Sequence, residues 1–306
     1  MDSKQRLGHM AMLAFSIMVA GSFIFVVKIS NLAEPAAVNS LRFLIGAVLI
    51  GLYMWISKSI SKTEFKKIMV APWRFVILAG VFSSYFIFMF EGLKTAASVS
   101  SSVIFTLIPV MAAIFGYILL KQITTKRMAL ALFIGFIGAI WVIFKADMGN
   151  LLAFKVGGGE LTYFLGCIAH AIFIPLSRKF NWGEKPLVTT FAILVIGSVM
   201  MGVYGYDDIV ATDWLHMPSV FWLGLLYLAI VNSAITFFLI QYAALVLPSA
   251  KVMAYNFLTP VWVILLEVLL GNEWPPVLIF IGIAMTITAL ILLLKDEKPR
   301  VKPVTA

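Results

Sequence analysis

The sequence predicts an all-α membrane protein with ten transmembrane helices in two inverted five-helix repeats. Three observations predict this fold: the composition, the spacing of the apolar segments and an internal repeat. The 306-residue chain is 62% hydrophobic and 12% charged, with a mean hydropathy of +1.04. Soluble globular proteins do not reach such values. We therefore predict an integral membrane protein.

Ten apolar segments are separated by charge clusters, prolines and glycines. About 20 apolar residues are needed to cross a hydrocarbon core of about 30 Å. A signal peptide is an alternative for the first segment, but no convincing small-residue cleavage site follows it, so we predict a retained helix. The segments lie at about 9–28, 36–57, 74–92, 97–120, 128–145, 160–178, 187–206, 219–240, 248–270 and 276–294.

The distribution of charge predicts the orientation. With the N terminus inside, 17 of the 23 Lys and Arg residues fall in inside segments or at inside helix ends. The outside segments instead collect acidic residues such as Glu34, Asp207 and Asp208. Because cytoplasmic loops retain positive charge, both termini are predicted to be cytoplasmic. The Lys and Arg residues that give the net charge of +9 lie in short clusters between apolar segments. This distribution does not favour nucleic-acid binding.

An internal repeat becomes visible when the chain is shifted against itself by 151 residues. Pro109 then overlays Pro260, and Ser98 overlays Ser249. Each half holds five segments, and because five is odd the second half enters the membrane from the opposite side. Inverted repeats of this kind are typical of secondary transporters. The predicted domains are residues 1–146, a linker at 147–159, and residues 160–306 with a short basic cytoplasmic tail.

The two prolines of the repeat are predicted to kink their helices and to act as hinges. A proline inside a helix frees a backbone carbonyl, which is tolerated in a membrane where protein or a watery cavity satisfies it. A packing kink with no ligand role is the alternative. Both prolines share a helix face with small polar or aromatic residues: Ser98, Ser102 and Phe105 before Pro109, and Ser249, Met253 and Asn256 before Pro260.

Polar and aromatic residues within the segments outline a predicted cavity. An unpaired amide or hydroxyl is costly in hydrocarbon, so these groups are expected to face the bundle interior. Contacts between helices are the alternative for Asn232, and a satisfied interior histidine is the alternative for His170. We predict that the cavity is lined by Phe23, Tyr85, Ser102, Phe105, His170, Asn232, Thr236, Tyr255 and Asn256.

A few ionisable residues lie within or at the ends of the segments. Arg42 is expected to snorkel outward or to pair with a carboxylate. Glu91 and Glu267 lie near the outer ends of their segments, where they are either interfacial or involved in proton coupling. His170 is a third candidate for coupling.

Several stretches resemble the EamA family of the drug/metabolite transporter superfamily. They are LLGNEWPPVLIFIGIAMTITALILL at 269–293 and GGGELTYFLGCIAHAIFIPLSRKF at 157–180, together with the duplicated proline stretches. The resemblance implies cytoplasmic termini and a central cavity lined by helices 1, 3, 4, 6, 8 and 9. The family's Gly-Glu pair after helices 4 and 9 is replaced here by Lys121-Gln122 and by Gly271-Asn272-Glu273. At the position of His170, relatives often carry Trp.

The stretches VAGSF at 19–23 and NSLRFLIGA at 39–47 resemble the riboflavin-transporter branch of that family. The resemblance implies transport of a small organic metabolite such as riboflavin across the bacterial inner membrane; export of amino acids is the alternative. The chain is expected to be a monomer or a homodimer in the lipid bilayer, with a small-molecule substrate and no nucleic-acid partner.

Enzymatic function is not favoured by the sequence. No HExxH or Walker A motif is present, and His170 is the only histidine deep within a segment. The single Cys167 excludes an internal disulfide and a four-thiolate metal site. We therefore expect no catalytic residue, no metal and no cofactor; a membrane-embedded enzyme and a passive channel remain the other classes.

Overall fold

The chain folds into a bundle of helices. The computed structural model describes residues 3–29, 32–58, 68–93, 95, 104–144, 147–152, 157–271, 273, 274 and 276–294, with the backbone alone for residues 23, 24, 26–28, 93, 150 and 151. No strand occurs in these residues. The main helices are α1 (Ser3–Ile29), α2 (Pro35–Ile56), α3 (Trp73–Leu93), α4 (Ile108–Leu120), α5 (Lys126–Ile143), α6 (Gly158–Phe180), α7 (Pro186–Tyr204), α8 (Ser219–Val246), α9 (Ser249–Leu269) and α10 (Ile279–Leu294).

Seven of the described helices are long and apolar enough to cross a membrane. They are α2, α3 and α5 to α9, whereas α4 and α10 are apolar but only 13 and 16 residues long. Short helices lie between the long ones at Met148–Leu152, Tyr206–Ala211 and Trp214–His216. The all-helical fold is confirmed for the described residues, and the count of ten spans stays a prediction.

The outer surface of the bundle is apolar. Val48, Phe133 and Leu223 are each about 60% exposed, and Val199 and Ile281 are exposed as well. Large exposed patches of this kind are rare on soluble proteins and need an apolar environment. Since every backbone group of a helix is satisfied within the helix, lipid can contact these surfaces directly.

Helices α2 and α7 pack side by side in opposite directions. Near one end, Ala36 contacts Gly205, and the Ser40 hydroxyl donates a hydrogen bond of 3.1 Å to the Ser198 carbonyl. At the other end, Gly51 lies against Phe191. The start of α2 therefore meets the end of α7. The two helices begin at Pro35 and Pro186, which are 151 residues apart, the same offset as between Pro109 and Pro260.

Helices α3 and α6 form another antiparallel pair. A Cβ atom on Gly92 would lie only 2.6 Å from the backbone nitrogen of Tyr163, so this close approach requires glycine. At the far end of the pair, Arg74 donates a hydrogen bond to the carbonyl of Phe180. Helix α1 packs on α8 in the same antiparallel way, since Gly8 lies against Leu247 and Gly21 against Tyr227.

Helices α5 and α10 pack mainly against each other. A Cβ atom on Gly138 would lie 2.8 Å from the carbonyl oxygen of Gly282, and one on Gly282 would lie 2.6 Å from that of Gly138. Small residues allow this close backbone contact, as they do in other membrane helix pairs. The Trp141 indole donates a hydrogen bond of 2.9 Å to the Leu278 carbonyl farther along the pair.

The two predicted hinge prolines lie at helix starts. Pro109 is the second residue of α4, after a turn at Thr106 and Leu107. Pro260 follows a 3₁₀ turn, Tyr255–Leu258, which interrupts α9. Proline is tolerated in a first turn because its missing N–H has no intrahelical partner there. The proline that lies inside a continuous helix is Pro175 in α6, which the sequence analysis did not single out.

Candidate functional site

A cavity of about 450 Å³ opens between α2, α3 and α7. Its volume is in the range of small-molecule sites. Pro35 and Asn39 from the start of α2, Phe90 near the end of α3 and Tyr204 at the end of α7 line it. We call this end of the bundle the acidic end, because three carboxylates surround the cavity there: Glu34, Glu91 and Asp208.

The lining of the cavity combines acidic, amide and aromatic groups. None of the described residues that line it is a Lys or Arg. Asn39 is 1% exposed; its Nδ2 donates a hydrogen bond of 2.8 Å to the Pro35 carbonyl, whereas its Oδ1 has no partner among the described residues. Phe86 and Phe90 supply apolar walls. The cavity therefore offers hydrogen-bond acceptors and negative charge next to aromatic rings.

Arg42 lies one helical turn below Asn39 on α2 and is 3% exposed. Its Nε donates a hydrogen bond of 3.1 Å to the Ser233 hydroxyl, and its guanidinium carbon lies 4.5 Å from the centroid of the Phe86 ring. No carboxylate pairs with it in the part of the chain that the structure describes. The expectation that Arg42 snorkels outward was therefore wrong, and pairing with a carboxylate is not seen among the described residues.

Three of the predicted cavity residues come together deeper in the bundle. The His170 ring lies 4.4 Å from the Tyr85 ring and 6.3 Å from the Phe105 ring, measured between centroids. His170 and Tyr85 are buried, and His170 Nδ1 has no hydrogen-bond partner among the described residues. These side chains do not line the cavity at the acidic end. They form a separate polar and aromatic group between α3, α6 and the segment that precedes α4.

Asn232 and Thr236 lie at an irregular part of α8. Residues Leu228–Ile235 form a π-helix, a form that is rare and often occurs at functional sites. The Thr236 hydroxyl donates a hydrogen bond of 2.6 Å to the Asn232 carbonyl, so it is occupied within its own helix. The adjacent Ser233 is the residue that contacts Arg42. The sequence did not indicate either the π-helix or this contact.

Tyr255 and Asn256 lie in the 3₁₀ turn of α9 and are buried. The Tyr255 hydroxyl hydrogen-bonds to His9 Nδ1 at 2.9 Å, which connects α9 to α1. The Asn256 amide contacts the Met253 sulfur at 3.5 Å. His9 was not among the predicted site residues, although it is one of only three histidines in the chain.

The remaining predicted residues fall in different places. Glu91 lines the cavity, whereas Glu267 is exposed on α9 and does not line it. The side chain of Phe23 and the whole of Ser102 lie outside the described residues. No group of three His, Cys, Asp or Glu side chains that could hold a metal ion occurs among the described residues.

An aromatic cluster fills the bundle below the cavity. Phe82 stacks on Phe237 with a centroid distance of 4.3 Å, and Phe173 packs against both rings. Phe43 and Phe86 extend the cluster towards Arg42. All five rings are buried, and they come from α2, α3, α6 and α8. The cluster separates the cavity from the opposite end of the bundle.

A buried ion pair lies at the end of the bundle opposite to the acidic end. Arg74 Nη2 donates to Glu184 Oε1 at 2.8 Å, and both side chains are 1% exposed. Arg74 also donates to the Phe180 carbonyl and lies 3.8 Å from the Trp182 ring centroid. The Trp182 backbone donates to Glu184 Oε2 at 2.6 Å. We call this set of contacts the clamp; it ties the start of α3 to the loop before α7.

Two stretches of the chain, residues 6–144 and 157–295, match the model of the EamA-like transporter family. The chain belongs to this family. The membership predicted from the sequence is thus confirmed, and the chain is a membrane transporter of the drug/metabolite transporter superfamily. An enzymatic role is not favoured by the family or by the names of the relatives.

Relatives of this EamA-family chain are identical to it at about a quarter of the aligned positions. "Uncharacterized transporter YyaM" of Bacillus subtilis is 27% identical over 229 residues, which cover 74% of each chain. "Uncharacterized transporter YcxC" of the same organism is 24% identical over 88% of this chain and 87% of its own length. An uncharacterized transporter of Archaeoglobus fulgidus is 23% identical over 95% and 98%.

A solved crystal structure shares the fold of this EamA-family chain. It matches with a TM-score of 0.75 and 17% sequence identity, over 95% of this chain and 97% of its own. Its printed description, "Crystal structure of protein", names no activity. At this identity the similarity shows the fold alone.

Proposed function

We propose that this chain is a secondary transporter that moves a small organic metabolite across the bacterial inner membrane by alternating access. Its two halves, residues 1–146 and 160–306, are joined by the linker at 147–159. Both termini lie in the cytoplasm, so the acidic end faces outward. The two substrate candidates are a vitamin such as riboflavin and, as the alternative, amino acids or related metabolites that are moved outward.

One observation carries the proposal: the bundle has a cavity at one end and a clamp at the other. Along α3, Arg74 of the clamp is 16 residues from Phe90 of the cavity. That separation corresponds to about 24 Å at the rise of an α-helix. The aromatic cluster lies between them. A transporter caught open to one side of the membrane has this arrangement, whereas an open channel would connect the two ends.

The antiparallel packing of α2 and α7 supports an inverted repeat. These helices occupy equivalent places in the two halves, since they begin 151 residues apart. The start of α2 and the end of α7 nevertheless line the same cavity. Two halves of opposite orientation can exchange conformations, which closes the site on one side and opens it on the other.

The cavity lining suits either of the two substrate candidates. The rings of Phe86, Phe90 and Tyr204 provide surfaces on which the planar ring system of riboflavin could stack, and Asn39 provides an acceptor for an imide N–H. The three carboxylates around the mouth favour a solute with an ammonium group, which is the observation that keeps amino acids as the second candidate.

Counterflow in proteoliposomes tests the proposal. Vesicles loaded with unlabelled riboflavin, or with a mixture of amino acids, should accumulate the corresponding labelled solute transiently, and the rate should saturate. A passive channel gives no such overshoot. Failure of every solute in this panel to show saturable counterflow, in protein that is correctly inserted, would contradict the proposed function.

Cysteine accessibility provides a second test. Cys167 is the only cysteine and is buried, so Cys167→Ala gives a clean background. Tyr204→Cys then reports on the cavity mouth, and Ser177→Cys reports on a buried position near the clamp. A membrane-impermeant maleimide should label position 204 readily and position 177 slowly, and the transported solute should change the two rates in opposite directions. Parallel changes would contradict alternating access.

A further inference from the structure

We propose that Arg42 and Asn39 bind the two charged groups of a zwitterionic solute. Arg42 pairs with its carboxylate, and Asn39 Oδ1 accepts a hydrogen bond from its ammonium group. This inference rests on the proposed function, because it names the chemical class of the transported solute. Neither residue was among the predicted cavity residues.

Arg42 is a buried cation for which no described residue provides a counter-ion. A guanidinium has five N–H donors, and the described structure gives Arg42 one hydrogen bond, to the Ser233 hydroxyl. The faces of Phe86 and Phe43, at 4.5 and 5.2 Å from the guanidinium carbon, compensate part of the lost hydration. A charge held inside a membrane protein in this way marks a functional site whose partner is a carboxylate or another anion.

Asn39 presents the complementary group. Its Nδ2 is occupied by the Pro35 carbonyl, whereas its buried Oδ1 has no partner in the described structure. Buried acceptors are almost always satisfied, so an unpartnered one at a cavity wall calls for a donor from a ligand. Glu34, Glu91 and Asp208 around the same cavity make that donor a cationic one.

The spacing of the two residues matches a small zwitterion. Asn39 and Arg42 are three residues apart in α2, so they share a helix face with Cβ atoms about 5 to 6 Å apart. The ammonium and carboxylate of an α-amino acid are attached to one carbon atom, so both side chains can reach it together. The carboxylates at the mouth and the guanidinium behind the cavity wall also orient the solute, with its carboxylate inward.

Phe86 separates Arg42 from the cavity. The Phe86 ring contacts the Arg42 guanidinium and also lines the cavity. A recess of about 20 Å³ next to Arg42 shares the walls Pro35 and Phe90 with the cavity. That recess holds about one water molecule and is too small for a carboxylate group. The Phe86 side chain must therefore change rotamer before the solute carboxylate reaches Arg42.

The charges at the two ends of the cavity discriminate among solutes. A simple anion must pass the three carboxylates at the mouth, and a simple cation is repelled by Arg42 behind the cavity wall. Riboflavin is uncharged and satisfies neither Arg42 nor the acidic mouth. A solute with both charges gains from both groups, so the arrangement favours the amino-acid candidate over riboflavin.

Ligand binding to the purified protein in detergent tests the inference without requiring transport. Thermal unfolding is measured with each of the twenty amino acids and with riboflavin. For each stabilising amino acid, the amine that lacks the carboxylate and the acid that lacks the amino group are measured as matched probes. We expect at least one amino acid to raise the midpoint of unfolding, and both of its matched probes to bind at least tenfold more weakly.

Variants of the two residues complete the test. Arg42→Gln and Asn39→Leu should each weaken amino-acid binding at least tenfold. The amino-acid affinity of Arg42→Lys should lie between those of Arg42→Gln and the wild type. The Lys variant retains the charge and guards against a Gln variant that fails to fold. Arg178→Gln is the matched control, since Arg178 is a half-buried cation near the clamp end that contacts the Leu247 carbonyl.

Three results would overturn the inference. They are that no amino acid stabilises the wild type, that the amine or acid probe binds as well as the intact amino acid, or that the Arg42 variants bind the amino acid as tightly as the wild type does. These results are distinct from failure of the proposed function. Riboflavin counterflow at the wild-type rate in Arg42→Gln would leave transport intact and remove the inference. Amino-acid binding in detergent without counterflow would support the binding roles of Arg42 and Asn39 and contradict the proposed transport.

Discussion

Phe82 of α3 and Phe237 of α8 stack almost face to face, with their ring planes 11° apart. The pair joins the N-terminal half of the chain to the C-terminal half at the level of the aromatic cluster. Both rings are buried, and together they lie between the acidic cavity and the clamp. In this conformation the pair places buried hydrocarbon between the two ends of the bundle.

Replacing Phe82 with Ala should weaken this closure. Truncating a buried phenylalanine costs about 3 to 5 kcal/mol of unfolding free energy because a cavity is left. We expect a lower midpoint of thermal unfolding and faster passive leak of solute from loaded proteoliposomes. Phe82→Leu is the control, because it keeps most of the volume and should leak less. Vesicles with Phe82→Ala that retain solute as well as the wild type would contradict the role of the cluster.

The buried clamp predicts strong coupling between Arg74 and Glu184. Glu184→Gln removes the Glu184 carboxylate from the buried pair with Arg74, and breaking a buried ion pair typically costs about 3 to 5 kcal/mol. Arg74→Met with Glu184→Leu removes both charges and should recover much of that loss. A double-mutant cycle of unfolding free energies measures the coupling. In Glu184→Gln, labelling at Ser177→Cys should also become faster; additive single effects with unchanged labelling would remove the clamp from the mechanism.

Asn232 and Asn256 are expected to contact the solute at some stage of the transport cycle. The Asn256 amide is buried with a weak sulfur contact, and Asn232 lies half-buried at the π-helix. Single changes to Ala should raise the KM for counterflow about tenfold, which corresponds to the loss of roughly one good hydrogen bond. Expression in the membrane should not change. Wild-type kinetics in both variants would exclude these residues from the solute path.

The two outer glutamates should differ in their effect on transport. Glu91 lines the cavity, whereas Glu267 is exposed on α9 away from it. Glu91→Gln removes one of the three charges that attract a cationic group, so the apparent affinity for an amino acid should fall several-fold, and more at low ionic strength. Glu267→Gln serves as its matched control. Equal effects in the two variants would show that the position of Glu91 at the cavity is irrelevant.

Gly138 and Gly158 provide a matched pair for packing. A Cβ atom on Gly138 would lie 2.8 Å from the Gly282 carbonyl, whereas one on Gly158 would have no atom within 4 Å. Gly138→Ala should therefore cost about 1 to 3 kcal/mol through overpacking. Gly158→Ala should be neutral, and the midpoint of thermal unfolding measures both. A stable Gly138→Ala variant would show that α5 and α10 are free to move apart.

Much of the fold could be predicted from local features of the sequence. The offset between Pro109 and Pro260 recurs between Pro35 and Pro186, because proline marks the start of a helix in both halves. Most of the predicted segments begin and end within a few residues of the observed helices. Segment 4 was predicted at 97–120, and residues 96–103 lie outside the described part of the chain.

The candidate site was harder to predict, because it depends on contacts between distant parts of the chain. Arg74 and Glu184 are 110 residues apart, and nothing local marks them as a pair. Arg42 was expected at the membrane surface because a long side chain near a helix end can snorkel. Its inward direction is set by packing against Phe86 and Ser233, which the order of residues in α2 does not reveal.

The equivalent helices α2 and α7 differ in charge at matching positions. Arg42 of α2 corresponds, 151 residues later, to Ile193 of α7, which is fully buried. A carrier whose halves exchange roles therefore presents a cation to its cargo from one half and a hydrocarbon side chain from the other. Half-saturation concentrations measured from the two faces of the membrane should then be unequal, while the Haldane relation keeps the net equilibrium of an uncoupled solute unchanged. Inward and outward transport would thus have different rates even though the two halves match the same family model.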